Sequence, residues 1–161
     1  MKGIIIYATK YGCTEKVVKM LQSKISIEVK TVNVEKEKIT DLTEFDIIIL
    51  GGPIYIGKIP KKLSDFIQEN REILKSKKLA LFLCAGEQDV TNMENLLLTA
   101  YSEELYNHAI TREVVGGELH LSKLDFITRI MLRVVKGIKK DYSRLSEAKI
   151  NKLAKEPFNI R

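Results

Sequence analysis

Apolar runs alternate with stretches of helical spacing along this chain. Gly3-Ile4-Ile5-Ile6-Tyr7-Ala8 is continuous and apolar, which predicts a buried strand over residues 2–8. Val17, Val18 and Leu21 then recur at helical spacing and predict a helix over 13–24. Residues 27–34 (IEVKTVNV) alternate apolar and polar, the pattern of a half-covered edge strand. Charged residues fill 35–45 as a loop or short helix. Residues 46–50 (DIIIL) predict a third strand, apolar enough for burial on both faces. A loop follows over 51–59, and Pro60 suits the first turn of a helix running to about residue 70. Residues 79–84 predict strand four, 92–106 a helix, and 110–121 a fifth strand broken or bent at Gly116-Gly117. A final helix over 146–155 places Ile150, Leu153 and Ala154 on one side.

This alternation predicts an α/β fold, a doubly wound five-stranded parallel sheet with crossover helices. Such sheets bind ligands outside the carboxyl ends of their strands, where strand order reverses. With order 2-1-3-4-5 the reversal lies between strands one and three, and the loops after strands one, three and four converge.

The loop after strand one is Thr9-Lys10-Tyr11-Gly12-Cys13-Thr14. It feeds a helix N-terminus, where unpaired N–H groups and the positive end of the helix dipole favour an anion. Hydroxyls from Thr9 and Thr14 add donors, and Gly12 admits close backbone approach, so the loop reads as a phosphate cup. The alternative is an ordinary strand–helix turn with Thr14 near the cap. No Gly-x-Gly-x-x-Gly follows the first strand and no Gly-Lys-Ser/Thr closes the loop, which argues against dinucleotide-binding and Walker motifs. After strand three, Gly51-Gly52-Pro53-Ile54-Tyr55-Ile56-Gly57-Lys58-Ile59-Pro60 offers Ile54, Tyr55 or Ile56 to a planar ring, or else tucks them into the core. After strand four, Ala85-Gly86-Glu87-Gln88-Asp89 offers backbone N–H groups near the same place.

At 161 residues, 45% hydrophobic and 30% charged, the chain suits one domain over 1–161. No run is apolar and long enough to span a bilayer. Met1-Lys2 leads into a strand without a secretory signal, and Cys13 and Cys84 form no metal or disulfide framework; both point to reduced thiols in the cytoplasm. His108 is expected on the surface and His120 in a structural role. Cys13 is expected to pack in its loop, and Cys84 to be a small buried hydrophobe.

Charge changes this picture. The net charge is +6, and residues 122–140 hold six Lys and Arg against Asp125, a local net of +5. Ser122 with Asp125 resembles a helix start. On a helical wheel Leu124, Ile127, Ile130, Met131, Val134, Val135 and Ile138 share one face. Arg129, Arg133, Lys136, Lys139 and Lys140 share the other. The readings are a helix packed on its own domain, an interfacial helix on anionic lipid, and a surface for a partner or for homo-oligomerisation. Nucleic acid is not expected, because no recognised motif accompanies the patch.

Taken in order, Thr-x-x-Gly-x-Thr, Gly-Gly-Pro-Ile-Tyr-Ile-Gly-Lys and the small-residue loop after strand four resemble the flavodoxin-like family over nearly the whole chain. That resemblance implies non-covalent FMN, with its phosphate on residues 9–14 and its isoalloxazine between the loops at 53–58 and 85–89. Gly57 matches the family's glycine whose peptide turns toward N5 of the reduced ring. Tyr11 replaces a hydroxyl residue found in many flavodoxins. That substitution, the basic segment 122–140 and Ile54-x-x-Gly57 together resemble the menaquinone-dependent protoporphyrinogen oxidases of the family. The acidic Gly86-Glu87-Gln88-Asp89 departs from the long basic loop of those enzymes. The resemblance implies an FMN-dependent oxidoreductase with a redox partner or quinone, either cytoplasmic or peripheral to a membrane. The alternatives are a soluble electron carrier and a flavin-free interaction module.

Overall fold

The computed structural model describes residues 1–39 and 41–159; Thr40, within the predicted 35–45 segment, and Ile160 and Arg161, at the end of the predicted domain, lie outside the described residues. In chain order the elements are β1 (Gly3–Tyr7), α1 (Cys13–Lys24), β2 (Val29–Asn33), β3 (Ile47–Pro53), α2 (Lys61–Glu69), α3 (Arg71–Lys75), β4 (Lys78–Cys84), α4 (Val90–His108) and β5 (Thr111–Val114). These are followed by β6 (Gly116–Leu119), a 3-10 turn (Leu121–Lys123), α5 (Phe126–Lys136), β7 (Tyr142–Leu145) and α6 (Glu147–Lys155). Five strands form one parallel sheet, as the apolar pattern predicts, in the order β2-β1-β3-β4-β5 that was expected for it.

Apart from the exposed Lys78 that opens β4, the central strands β1, β3 and β4 carry no charged residue, because each of their faces meets helices. Successive side chains on a strand alternate sides. Ile4, Ile6, Ile48, Leu50, Leu79, Leu81 and Leu83 pack against α2, α3 and α4 through Leu63, Ile67, Leu74, Leu97, Tyr101 and Leu105. Ile5, Ile49, Ala80 and Phe82 pack against α1 and α6 through Val17, Val18, Leu21, Ile150, Leu153 and Ala154. Each fully buried Ile or Leu of these layers contributes about 1.5–3 kcal/mol. Parallel register sets Ile5 opposite Ile49, and Ile49 opposite Ala80, so the strands' carboxyl ends share one edge.

Several predicted boundaries change for physical reasons. Strand three does not stop at residue 50. It runs through Gly51-Gly52-Pro53, with Pro53 opposite Cys84. A Cβ on Gly51 would lie 2.0 Å from the Phe82 ring, so glycine here serves close packing within the sheet rather than a turn. The predicted helix over 92–106 extends to Val90–His108 and is interrupted at Ser102, whose φ of 69° is not helical. The helix after strand three is followed by α3, which sequence spacing did not separate.

The largest departure follows β5. The predicted strand over 110–121 divides at Val115, whose N–H still donates to Leu83. The chain then leaves the parallel sheet, and β6 pairs antiparallel with β7, an element absent from the sequence reading. The predicted helix over 122–140 shrinks to α5. Asp125 caps it, accepting from the Thr128 N–H at 2.8 Å, so the start signal is Asp125 and not Ser122. Gly137 ends it in the left-handed conformation.

Candidate functional site

The site is built where β1 ends. The loop 9–14 turns through Gly12, whose φ of 91° suits glycine and brings the backbone onto the first turn of α1. Thr9 Oγ1 accepts from the Gly12 N–H at 3.1 Å and tightens the loop. No side chain caps α1, so its first N–H groups stay available. Thr14 is fully buried, and its Oγ1 has no hydrogen-bond partner among the described residues. An orphaned hydroxyl at an uncapped helix N-terminus fits the oxygen atoms of a phosphate group.

Two residues of this loop reach the loop after β3. The Lys10 ammonium lies 3.4 Å from the Tyr55 ring centroid, and Tyr11 meets Tyr55 edge to face at 6.2 Å and 62°. Tyr55 and Lys58 bond to each other across a tight turn at Ile56-Gly57. Both central residues have positive φ, 50° at Ile56 and 73° at Gly57. That conformation is natural for Gly57 but strained for a β-branched isoleucine. Ile56 is also among the exposed large apolar residues. Pro53 is part of β3, and the Ile54 N–H donates to Cys84 O at 3.0 Å, tying this loop to the end of β4.

The loop 85–89 is committed to other partners in several places. Glu87 accepts from the N–H groups of Gln88 and Asp89, each at 2.8 Å, and Asp89 caps α4 by accepting from Asn92 at 3.0 Å. These two carboxylates serve their own backbone. Ala85 donates to Gly116 O. Ala85, Gly86, Glu87 and Gln88 line a cavity of about 140 Å³ together with Arg144 and Lys149. A larger cavity, about 780 Å³, opens at the opposite edge of the sheet beside Lys78 and Ile110.

Four residues that the sequence reading did not assign join these loops. Lys123 Nζ lies 3.9 Å from where a Cβ on Gly12 would stand, which adds a cation beside the candidate phosphate loop. Tyr142 Oη rests against Gly86, 2.5 Å from the position of a Cβ there. The Thr128 hydroxyl donates to the Asp125 carboxylate at 2.6 Å and therefore accepts from Tyr55 Oη at 3.1 Å. Glu118 of β6 accepts from Lys16 of α1 at 2.7 Å, from His120 at 3.0 Å and from Ser143 at 3.0 Å. The Lys16 bond above all holds the Glu118 carboxyl down at about 2. His120 is engaged with Glu118 beside α1, and exposed His108 sits 2.8 Å from Lys77 O. The faint sequence signal for Lys123 was the basic excess of its segment; nothing local marked the others.

Cys84 is a buried core residue and Cys13 packs against the same cluster, as expected; the structure adds that the two thiols are neighbours. Interaction with the neighbouring Cys84 thiol lowers the Cys13 pKa from its usual value. The same interaction and then burial push Cys84 well up.

Comparison with known proteins agrees with this geometry. The flavodoxin domain family matches residues 4–146. A flavodoxin of Clostridium saccharobutylicum is 29% identical over 116 residues, 70% of this chain and 69% of that protein. The two-electron reduced flavodoxin of Megasphaera elsdenii superposes with a TM-score of 0.54 at 21% identity, over 73% of this chain and 83% of the other. The rubredoxin oxygen:oxidoreductase of Desulfovibrio gigas superposes with a TM-score of 0.60 at 14% identity, over 97% of this chain. This chain spans only 36% of that larger protein, and the likeness there is one of fold. The chain belongs to the flavodoxin domain family, whose cofactor is FMN.

Proposed function

We propose that residues 9–14 hold the phosphate of FMN and that the protein transfers electrons through the flavin. The observation that carries this reading is the buried, unpartnered Thr14 hydroxyl beneath the uncapped start of α1. Thr14 Oγ1 and the first N–H groups of α1 hold the phosphate, and Lys123 and Lys10 offset its charge. Tyr55, Ile56 and Gly57 border the ring on one side, and Gly86 with Tyr142 on the other. FMN, when bound, supplies both one- and two-electron redox chemistry. The protein orients the ring, keeps water from one side of it and sets the surrounding field. Titration of flavin-free protein with FMN and with riboflavin tests the phosphate cup. FMN is expected to bind far more tightly, and equal affinity for the two refutes the assignment.

A second reading is an oxidoreductase resembling the menaquinone-dependent protoporphyrinogen oxidases. One observation favours it. Thr128 bonds Tyr55, so the apolar surface of α5 adjoins the proposed ring-binding loop, within reach of a lipid-soluble acceptor. Incubating the flavin-loaded protein with protoporphyrinogen and menaquinone tests it. Porphyrin fluorescence that develops only with both supports the oxidase, and its absence leaves the electron carrier.

A further inference from the structure

The apolar face of α5 does not pack on its own domain. Phe126 is 72% exposed, Ile127 75%, Val134 76% and Val135 73%, while Ile130 and Met131 are exposed beside them. Thr128 is buried and Leu132 half-buried, so the helix meets the domain along a narrow flank near its N-terminus. Of the three readings of this segment, the exposures disfavour a helix whose apolar arc is packed on its own domain. The arc spans roughly half the helix circumference. Arg129, Arg133 and Lys136 occupy the remaining exposed side, and Lys139 and Lys140 follow the terminating Gly137.

We propose that α5 is a membrane-surface helix. It lies in the plane of an anionic bilayer, its aliphatic face in the boundary between headgroups and acyl chains and its basic side chains on lipid phosphates. Charge selects this occupant. A second copy would bring two segments of net +5 together, whereas an anionic surface complements every basic side chain at once. Composition agrees: the exposed arc is Phe, Ile, Met and Val, without the tyrosine and tryptophan that enrich protein interfaces. Length agrees too. The 11 residues of α5 extend about 16 Å, short of the roughly 30 Å of a hydrocarbon core, so the helix rests on the bilayer and does not cross it. The Thr128–Tyr55 bond anchors α5 beside the loop at 53–58 and so fixes which side of the domain faces the lipid. The inference stands independently of flavin binding.

Sedimentation of the full chain with vesicles tests it, using phosphatidylglycerol–phosphatidylcholine mixtures against phosphatidylcholine alone at about 50 mM salt. The protein is expected to pellet with the anionic vesicles and to be released by high salt. In the Phe126→Trp variant, indole emission is expected to shift to the blue on vesicle addition. Replacing Arg129, Arg133 and Lys136 by Gln lowers partitioning about a hundred-fold. Val134→Asp abolishes it without changing FMN retention. A parent protein that stays in the supernatant with anionic vesicles at low salt overturns the proposal. So does a Val134→Asp protein that binds like the parent, or a solution dimer that Val134→Asp dissociates, which would make the occupant a second copy. Because FMN absorbance is read on the same samples, loss of vesicle binding and loss of the flavin site register separately.

Discussion

In the proposed site, the single side chain of Thr14 trades stability for binding. Its hydroxyl is buried without a partner, a state that costs about 1–3 kcal/mol. Thr14→Val removes that cost, so the flavin-free variant is expected to unfold at higher urea than the parent. The same change deletes the charge-assisted hydrogen bond proposed between Thr14 and the phosphate, and FMN affinity is expected to fall about ten-fold or more while riboflavin affinity stays level. Urea melts and fluorescence titrations measure the two effects; a variant less stable and equally tight for FMN contradicts both. Ile56 makes a similar trade in its backbone. With φ at 50°, an isoleucine carries strain of about 1–2 kcal/mol that asparagine tolerates. Ile56→Asn is therefore expected to raise stability by about 1 kcal/mol, checked by the same melts. The sequence marked Ile56 as a residue of a flavin loop, but its strain depends on the hairpin between Tyr55 and Lys58 and has no signature in composition.

Among elements, the β6–β7 hairpin is the addition that changes the site. It carries Glu118, which joins α1, β6 and β7, and Tyr142, which rests on Gly86. The Glu118 pKa is lowered from 4.5 to about 2, chiefly by the Lys16 bond. A depressed carboxyl stabilises the fold fully above its ordinary value and loses that contribution as pH falls through the folded one. Stability is therefore expected to drop between about pH 4.5 and pH 2, and Glu118→Gln to flatten that drop while costing stability at pH 7. Urea midpoints of both proteins across this range decide it. The hairpin escaped the sequence reading because residues 142–145 are short and carry Arg and Ser, and because Gly116-Gly117 reads as a bend in one strand. The antiparallel partner that turns the bend into a new strand lies 29 positions away, opposite Gly116 at Leu145.

At the scale of the whole molecule, the loops meet at one edge because parallel crossovers bring every strand's carboxyl end there. A ligand bound at that edge stabilises the entire sheet. FMN at a hundred-fold excess over its dissociation constant is expected to add about 2.7 kcal/mol, a rise in Tm of roughly 5–10 °C, and riboflavin at the same concentration distinctly less. Thermal melts with each ligand provide the check, and an equal rise with both contradicts a phosphate-centred site. The five-stranded parallel sheet was legible in residues 1–114, because apolar period reports local geometry and a doubly wound fold follows from the alternation of strands and helices; residues 9–14 were legible as a glycine-bearing turn from strand to helix. The basic, amphipathic character of α5 was legible for the same reason. Only the tertiary structure decided that Lys123 stands over Gly12, that Cys13 meets Cys84, that Thr128 holds Tyr55, and that the apolar arc of α5 is left uncovered. Hydrophobic periodicity shows that a face is apolar. What lies against that face depends on contacts between residues far apart in the chain, and those exist only once the chain has folded.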